Sequence, residues 1–283
     1  MPDGTQNDPY LATTWAELVT YASGNGNYVK VANNIDVLTE YPNGDAPTLV
    51  LNGNVDGDNK TISRWYCVES RYMIRTTNST YIKDTIFTNI KTNGSLIYNL
   101  SDGNSGHITV QNCKFAGIMG SGYVFDGQRD TRSGKLDSVT INIKGADLKL
   151  IYQGGQGGFS NSNFNVKLVT TANILCDMYY QGMTNIFYDS YFNIDAPNLT
   201  KISESAGYNK KVNFDNCVID LKTSAIESPN TFPFDTGNSL LTIVNNSHCP
   251  VSDVTGKILG VSDTNWYNAT FLASQGFNIV AGE

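Results

Sequence analysis

The chain has 283 residues, 40% of them hydrophobic and only 16% charged, with a net charge of −7. That apolar content can fill a core, which excludes a disordered chain, and the length suits one large solenoid or two ordinary domains. The acidic balance opposes binding to nucleic acid or anionic lipid by field alone, and no stretch is long and apolar enough to span a membrane.

Residues 1–11 contain no basic region and no apolar run, so they read as an extended arm and not as a signal peptide. Thr14 with Glu17 three places on forms a capping box, and Trp15, Leu18, Val19 and Ala22 then fall on one helical face. Gly24 and Gly26 end this helix. Tyr28–Val31 alternates as a first strand, followed by a strand at Ile35–Val37 and a loop over 39–48 that contains Pro42, Gly44 and Pro47. Leu49–Leu51 is the next strand, and the turn-rich segment Asn52–Asn59 leads into Thr61-Ile62-Ser63.

Three segments here, Trp-Ala-Glu-Leu, Tyr-Val-Lys-Val-Ala-Asn-Asn-Ile-Asp and Val-Asp-Gly-Asp-Asn-Lys-Thr-Ile, resemble the start of pectate-lyase-like right-handed β-helices. The resemblance implies a capping helix followed by stacked β coils. The superfamily is broad, so it implies fold far more than function.

Residues 65–83 read as an irregular, aromatic-rich coil. From residue 84 a short polar anchor recurs with a large residue three places later: Asp84/Phe87, Asn112/Phe115, Ser138/Ile141, Asn161/Phe164, Asp189/Phe192, Asn216/Ile219 and Asn246/Cys249. The steps are 28, 26, 23, 28, 27 and 30 residues, a solenoid period. Asn, Asp and Ser suit a turn, and the residue after them reads as an inward strand position. Second apolar runs follow at 96–98, 123–125, 148–151, 174–176, 200–202 and 225–226, so one repeat is strand, turn, strand, loop. Long loops interrupt at 127–134 and 228–235. In the tail, Trp266, Phe271, Leu272 and Phe277 can cover the far end of the core. The ending Asn-Ala-Thr-Phe-Leu-x-Ser-x-Gly-Phe is similar to C-termini of β-helix proteins from phages and their gut-bacterial hosts.

The expected architecture is therefore all-β. A single-stranded right-handed parallel β-helix occupies residues 28–258, with an N-terminal arm and capping α-helix at 1–27 and a C-terminal cap at 259–283. The five cysteines have no metal-motif spacing and read as buried free thiols, with Cys113 and Cys217 in one small inward slot; this implies a reducing compartment during folding.

The chemistry on offer is sparse. The Asn-Thr-Asp, Gly-His-Gly and Arg-x-Lys motifs of galacturonases are absent. Asp126, Arg129, Asp130 and Arg132 come nearest to a lyase constellation but stand at a glycine-flanked loop. Counting from the anchors puts Asp126, Gln153, Asp177 and Glu204 in one column, with Tyr152, Tyr179 and Tyr180 nearby to stack on sugars. Gly154–Gly158 lacks the Lys of a phosphate loop. The leading expectation is a non-enzymatic structural protein of a phage particle: a capsid decoration, head fibre or tail appendage. It would fold in the host cytoplasm and locate to the virion. Its partners would be other capsid or tail proteins and a host-surface glycan, with a homotrimer as a possible assembly. No cofactor or metal is expected. The alternative is a polysaccharide hydrolase or lyase working through Asp126, Asp177 and Glu204.

Overall fold

A computed structural model describes residues 2–68, 72–76, 78–99, 108–127, 134–152, 158–168, 174–178, 184–195, 201–205, 211–215, 218–222 and 242–244; for several of the later strands only the backbone is described. The chain forms a parallel β-solenoid in which each coil pairs with the coils before and after it.

The turn anchors explain the coil. Asp84, Asn112, Ser138, Asn161 and Asp189 all adopt left-handed backbone, with φ of 51°, 51°, 58°, 51° and 47°. Short polar side chains tolerate that region best among non-glycine residues, so the repeated polar letter encodes a repeated sharp corner. The next residue turns inward at each corner: Thr85, Cys113, Val139, Ser162 and Ser190 are at most 3% exposed. The inward-slot reading is met at Cys113, whose thiol burial pushes up to about 12. Cys67 and Cys113 are both buried. Neighbouring corners are tied by side chains, as where Asn112 Nδ2 donates to Asp84 Oδ1 at 3.0 Å.

Three parallel ladders run the length of the described coils. The first joins strands before the corner, through Val29, Val55, Ile82, Val110, Leu136, Phe159, Phe187, Phe214 and Ile243 in register. The second joins strands after the corner, through Ile35, Ile62, Phe87, Phe115, Ile141, Phe164, Phe192 and Ile219. The third joins Leu49, Ile74, Ile97, Phe125, Ile151 and Cys176. The expected interior file from Phe87 to Ile219 is thus continuous in register.

Like stacks on like in that file. The Phe87 and Phe115 rings are 4.8 Å apart and nearly coplanar in orientation, as are Phe164 and Phe192 at 4.8 Å. Trp65 meets Phe87 at 5.9 Å and Trp15 at 4.4 Å, so the aromatic column reaches the helix. Burying each large side chain is worth about 1.5–3 kcal/mol.

Helix α1 spans Trp15–Ala22, with the capping box from Thr14 and Glu17 in place and Trp15, Leu18 and Ala22 buried. Its first turn has a second acid: Glu40 accepts from Trp15 N at 2.6 Å and Ala16 N at 3.0 Å. That carboxylate satisfies two amides a helix start leaves open and complements its dipole.

Several sequence expectations need correction. Residues 3–8 are not extended; they close a turn in which Gly4 N donates to Asp8 O at 3.0 Å, and Tyr10 stacks on Tyr21 at 4.8 Å. Helix α1 is ended by Ser23 in right-handed conformation, while Gly26 alone of the two glycines takes positive φ. Val37 begins a four-residue helical turn to Glu40 instead of ending a strand. Asn54–Ser63 is one strand bent at Asp58 and Asn59, and 65–83 is an ordinary rung with strands at Tyr66–Cys67, Tyr72–Thr76 and from Thr80. The coils described on all three ladders therefore carry three β segments, not two. The expected far cap at 259–283, the loop at 228–235 and the core of the loop at 127–134 lie outside the described residues.

Candidate functional site

The carboxylate column lies on the third ladder. Its register aligns Val50, Arg75, Tyr98, Asp126, Tyr152, Asp177 and Glu204. Tyr152 holds the place expected for Gln153, because loop lengths between ladders vary and anchor counting slips by one. Asp177 and Glu204 are direct neighbours, about 4.8 Å apart along the backbone, and Asp126 stands two rungs from Asp177, about 10 Å. Leu49 and Leu51 are fully buried and Val50 between them is not, so strand alternation turns Val50 outward at that rung.

Asp126 is nevertheless only 7% exposed. Ser95 Oγ donates to its Oδ2 at a long 3.5 Å, and its Oδ1 has no hydrogen-bond partner among the described residues. Burial pushes the carboxyl up from 3.8 to about 7, which the Ser95 hydrogen bond only partly offsets. On the same ladder Tyr72 stacks on Tyr98, ring centres 3.6 Å apart. A carboxyl in this condition can hold its proton near neutrality. Arg129, Asp130, Arg132, Gln153, Tyr179 and Tyr180 lie outside the described residues, as do the side chains of Tyr152, Asp177 and Glu204.

A second feature, on another ladder, was not anticipated. The second ladder carries a β-bulge. Phe115 pairs with Phe87 but Gly117 pairs with Ile90, so Thr88 and Asn89 together oppose Ala116. Asn89 takes the left-handed conformation, φ 52°, that the extra residue demands. A Cβ on Gly117 would run into the Ile90 carbonyl oxygen, so the close approach requires glycine. Two adjoining hollows open over this bulge. One, of about 210 Å³, is lined by Arg64, Tyr66, Asn89, Lys91 and Ile118. The other, of about 480 Å³, is lined by Asn89, Ala116, Gly117, Asn142 and Lys144. Together they make one groove along the solenoid axis over four rungs.

The groove has chemically distinct walls. One wall follows the file Tyr66, Lys91, Ile118, Lys144, which continues in register through Lys167, Asp195 and Lys222. The other follows Ala116 and Asn142, continuing through Asn165, Asn193 and Asp220. Four other lysines with described side chains are neutralised: Lys30 and Lys60 meet Asp58, Lys83 meets Asp56 and Asp84, and Lys135 meets Asp137. Lys91, Lys114 and Lys144, all exposed and all on the second ladder, form no ion pair among the described residues. Arg64 at the groove's end is paired with Asp36. The signal present in the sequence was a lysine six residues after the anchor at Lys144, Lys167 and Lys222, with Lys91 displaced to the seventh position by the bulge residue.

Among the described residues no group of His, Cys, Asp and Glu could hold a metal ion, and no helix is long and apolar enough to cross a membrane. Comparison of the chain with protein-family models, curated proteins and solved structures finds no match to any of them.

Proposed function

We propose that this chain is a non-enzymatic structural protein of a phage particle, a capsid decoration, head fibre or tail appendage with the right-handed, pectate-lyase-like form of the solenoid. It docks on the virion and presents its outer faces for adhesion to host-surface glycan. The observation that carries the reading is the repetition of the coil: three parallel ladders run from rung to rung, shifted among the described pairs only at Asp56/Lys60 and Phe115/Gly117, over a shared apolar interior. Such a body is a stiff rod with long repetitive faces, suited to display. Helix α1 acts as the lid over the first coil, where it packs on the strands at 10–12, 28–31 and 49–51 and shields their edges. In this reading the docking side, against other capsid or tail proteins, is the end that carries the half-exposed Leu11 on the first strand. A homotrimer is the proposed assembly. Mass spectrometry of purified virions should find the polypeptide in stoichiometric amounts, and virions without it would end the proposal.

A second reading has its own observation, the shared file of Asp126, Asp177 and Glu204. Carboxyls about one rung apart suit a retaining glycosidase, and those about 10 Å apart border on the inverting spacing. This reading makes the chain a polysaccharide hydrolase or lyase. It predicts release of reducing ends from a capsular polysaccharide, abolished by Asp177→Asn; unchanged release by that variant would remove it.

A further inference from the structure

We propose that the groove over the second-ladder bulge is a binding site for a linear anionic glycan, laid along the solenoid axis with about one sugar per rung. The site is on a different ladder from the carboxylate file and uses none of its residues. It rests on the adhesive half of the proposed function, and only for its biological setting.

The groove is a built feature. Its floor exists because Asn89 accepts a left-handed backbone and Gly117 has no Cβ to collide with Ile90. The walls are outward files two residues apart along the strand, about 7 Å, which admits a sugar chain and excludes an α-helix of about 10 Å diameter. The four rungs span about 14 Å, room for three or four sugars in a row.

The chemistry of the walls selects the occupant. The overall charge is −7, yet Lys91 and Lys144 face this groove without a carboxylate among the described residues. Lys91 and Lys144 stand two rungs apart, about 10 Å, with Ile118 between them, so their ammonium groups match a polymer that carries a carboxylate or sulfate on every second sugar, each contact a charge-assisted hydrogen bond. Asn89 and Asn142 offer amides that both donate and accept, as sugar hydroxyls require. Tyr66 at one end and the exposed Ile118, 54% accessible, supply apolar area for ring faces. An extended acidic peptide fits the spacing less well. Its same-side residues recur every 7 Å or so, against about 10 Å between the two lysines. Nucleic acid is disfavoured by the field of the whole chain.

The test uses the purified full chain and three probes of matched length in calorimetry at low salt. They are a hyaluronan octasaccharide for carboxylate, a heparin-derived octasaccharide for sulfate, and a dextran oligosaccharide for the neutral case. One or both anionic probes should bind, and the relative strength of the two identifies the acid group. Binding should weaken as salt rises and dextran should not bind. The Lys91→Gln/Lys144→Gln double variant should bind at least tenfold more weakly, with an unchanged circular dichroism spectrum. Ala116→Tyr, which fills the groove and leaves every charge in place, should weaken binding similarly. No binding by either anionic probe, equal binding of dextran, or full binding by both variants overturns the site. Tighter binding of a single-stranded oligonucleotide of equal charge would also overturn it, in favour of nucleic acid. The assay is independent of the virion, so absence of the protein from particles and failure of the groove are separately visible.

Discussion

Replacing Asp126 with Asn should stabilise the protein at neutral pH and remove a specific pH dependence. The folded carboxyl ionises at about 7 against an ordinary 3.8, because burial penalises its charged form. Between those two values the folded chain holds a proton that the unfolded chain has lost, so raising the pH favours unfolding. This is the reverse of a salt-bridged aspartate. The contribution is fully favourable below about pH 4, is lost at about 1.4 kcal/mol per pH unit through the interval, and stays lost above about pH 7. The gap of roughly 3 pH units corresponds to about 4 kcal/mol. Urea denaturation of both proteins across about pH 4.5 to 8 measures it as a difference, which cancels every other titrating group. The variant should be more stable than the parent by about 1 kcal/mol at the acid end and by about 4 kcal/mol at the alkaline end. Parallel curves, or a variant that loses stability at about pH 8, would refute the burial argument, since the carboxyl would then ionise normally.

Other expectations concern the coil itself. Phe115→Ala removes one ring from the stack with Phe87, ring centres 4.8 Å apart; a loss of about 3–5 kcal/mol is expected in the same denaturation assay. Asn112→Ala should cost about 1–2 kcal/mol because its φ of 51° is unfavourable for alanine, while Asn112→Gly should cost clearly less. Thermal midpoints of the two variants, compared side by side, check this. Glu40→Ala frees the Trp15 and Ala16 amides at the start of α1; a cost of about 0.5–2 kcal/mol is expected, with faster hydrogen exchange confined to the first turn.

The corner was the legible part of this sequence. Few side chains accept left-handed backbone, so Asp84, Asn112, Ser138, Asn161 and Asp189 announce it letter by letter. The large residue three places on then falls into the interior file. The strands before each corner were missed because they are short and half polar: Ile108-Thr109-Val110-Gln111 holds two large apolar residues and Gly134-Lys135-Leu136-Asp137 only one. The turn at Val37–Glu40 was missed because four residues carry no periodicity. Counting placed Asp126, Asp177 and Glu204 in one file but slipped at Tyr152, since the path between ladders is not of fixed length. The groove was hidden for a different reason. Lys91 and Lys144 are far apart in sequence, and one extra residue at the bulge shifts Lys91 from the step at which Lys144, Lys167 and Lys222 follow their anchors.

The recurring left-handed corner carries a consequence for how such a rod changes length. Each corner is a complete joint: it starts from a polar residue, tucks one small side chain inward and hands the chain to the next rung in unchanged register. A segment copied from one joint to the next, such as residues 112–137 inserted in tandem, would meet a neighbour above and below that already fits it. Growth by whole-unit duplication then leaves both ends and every existing neighbour pair intact, so the reach of the rod can be altered without redesigning its interior.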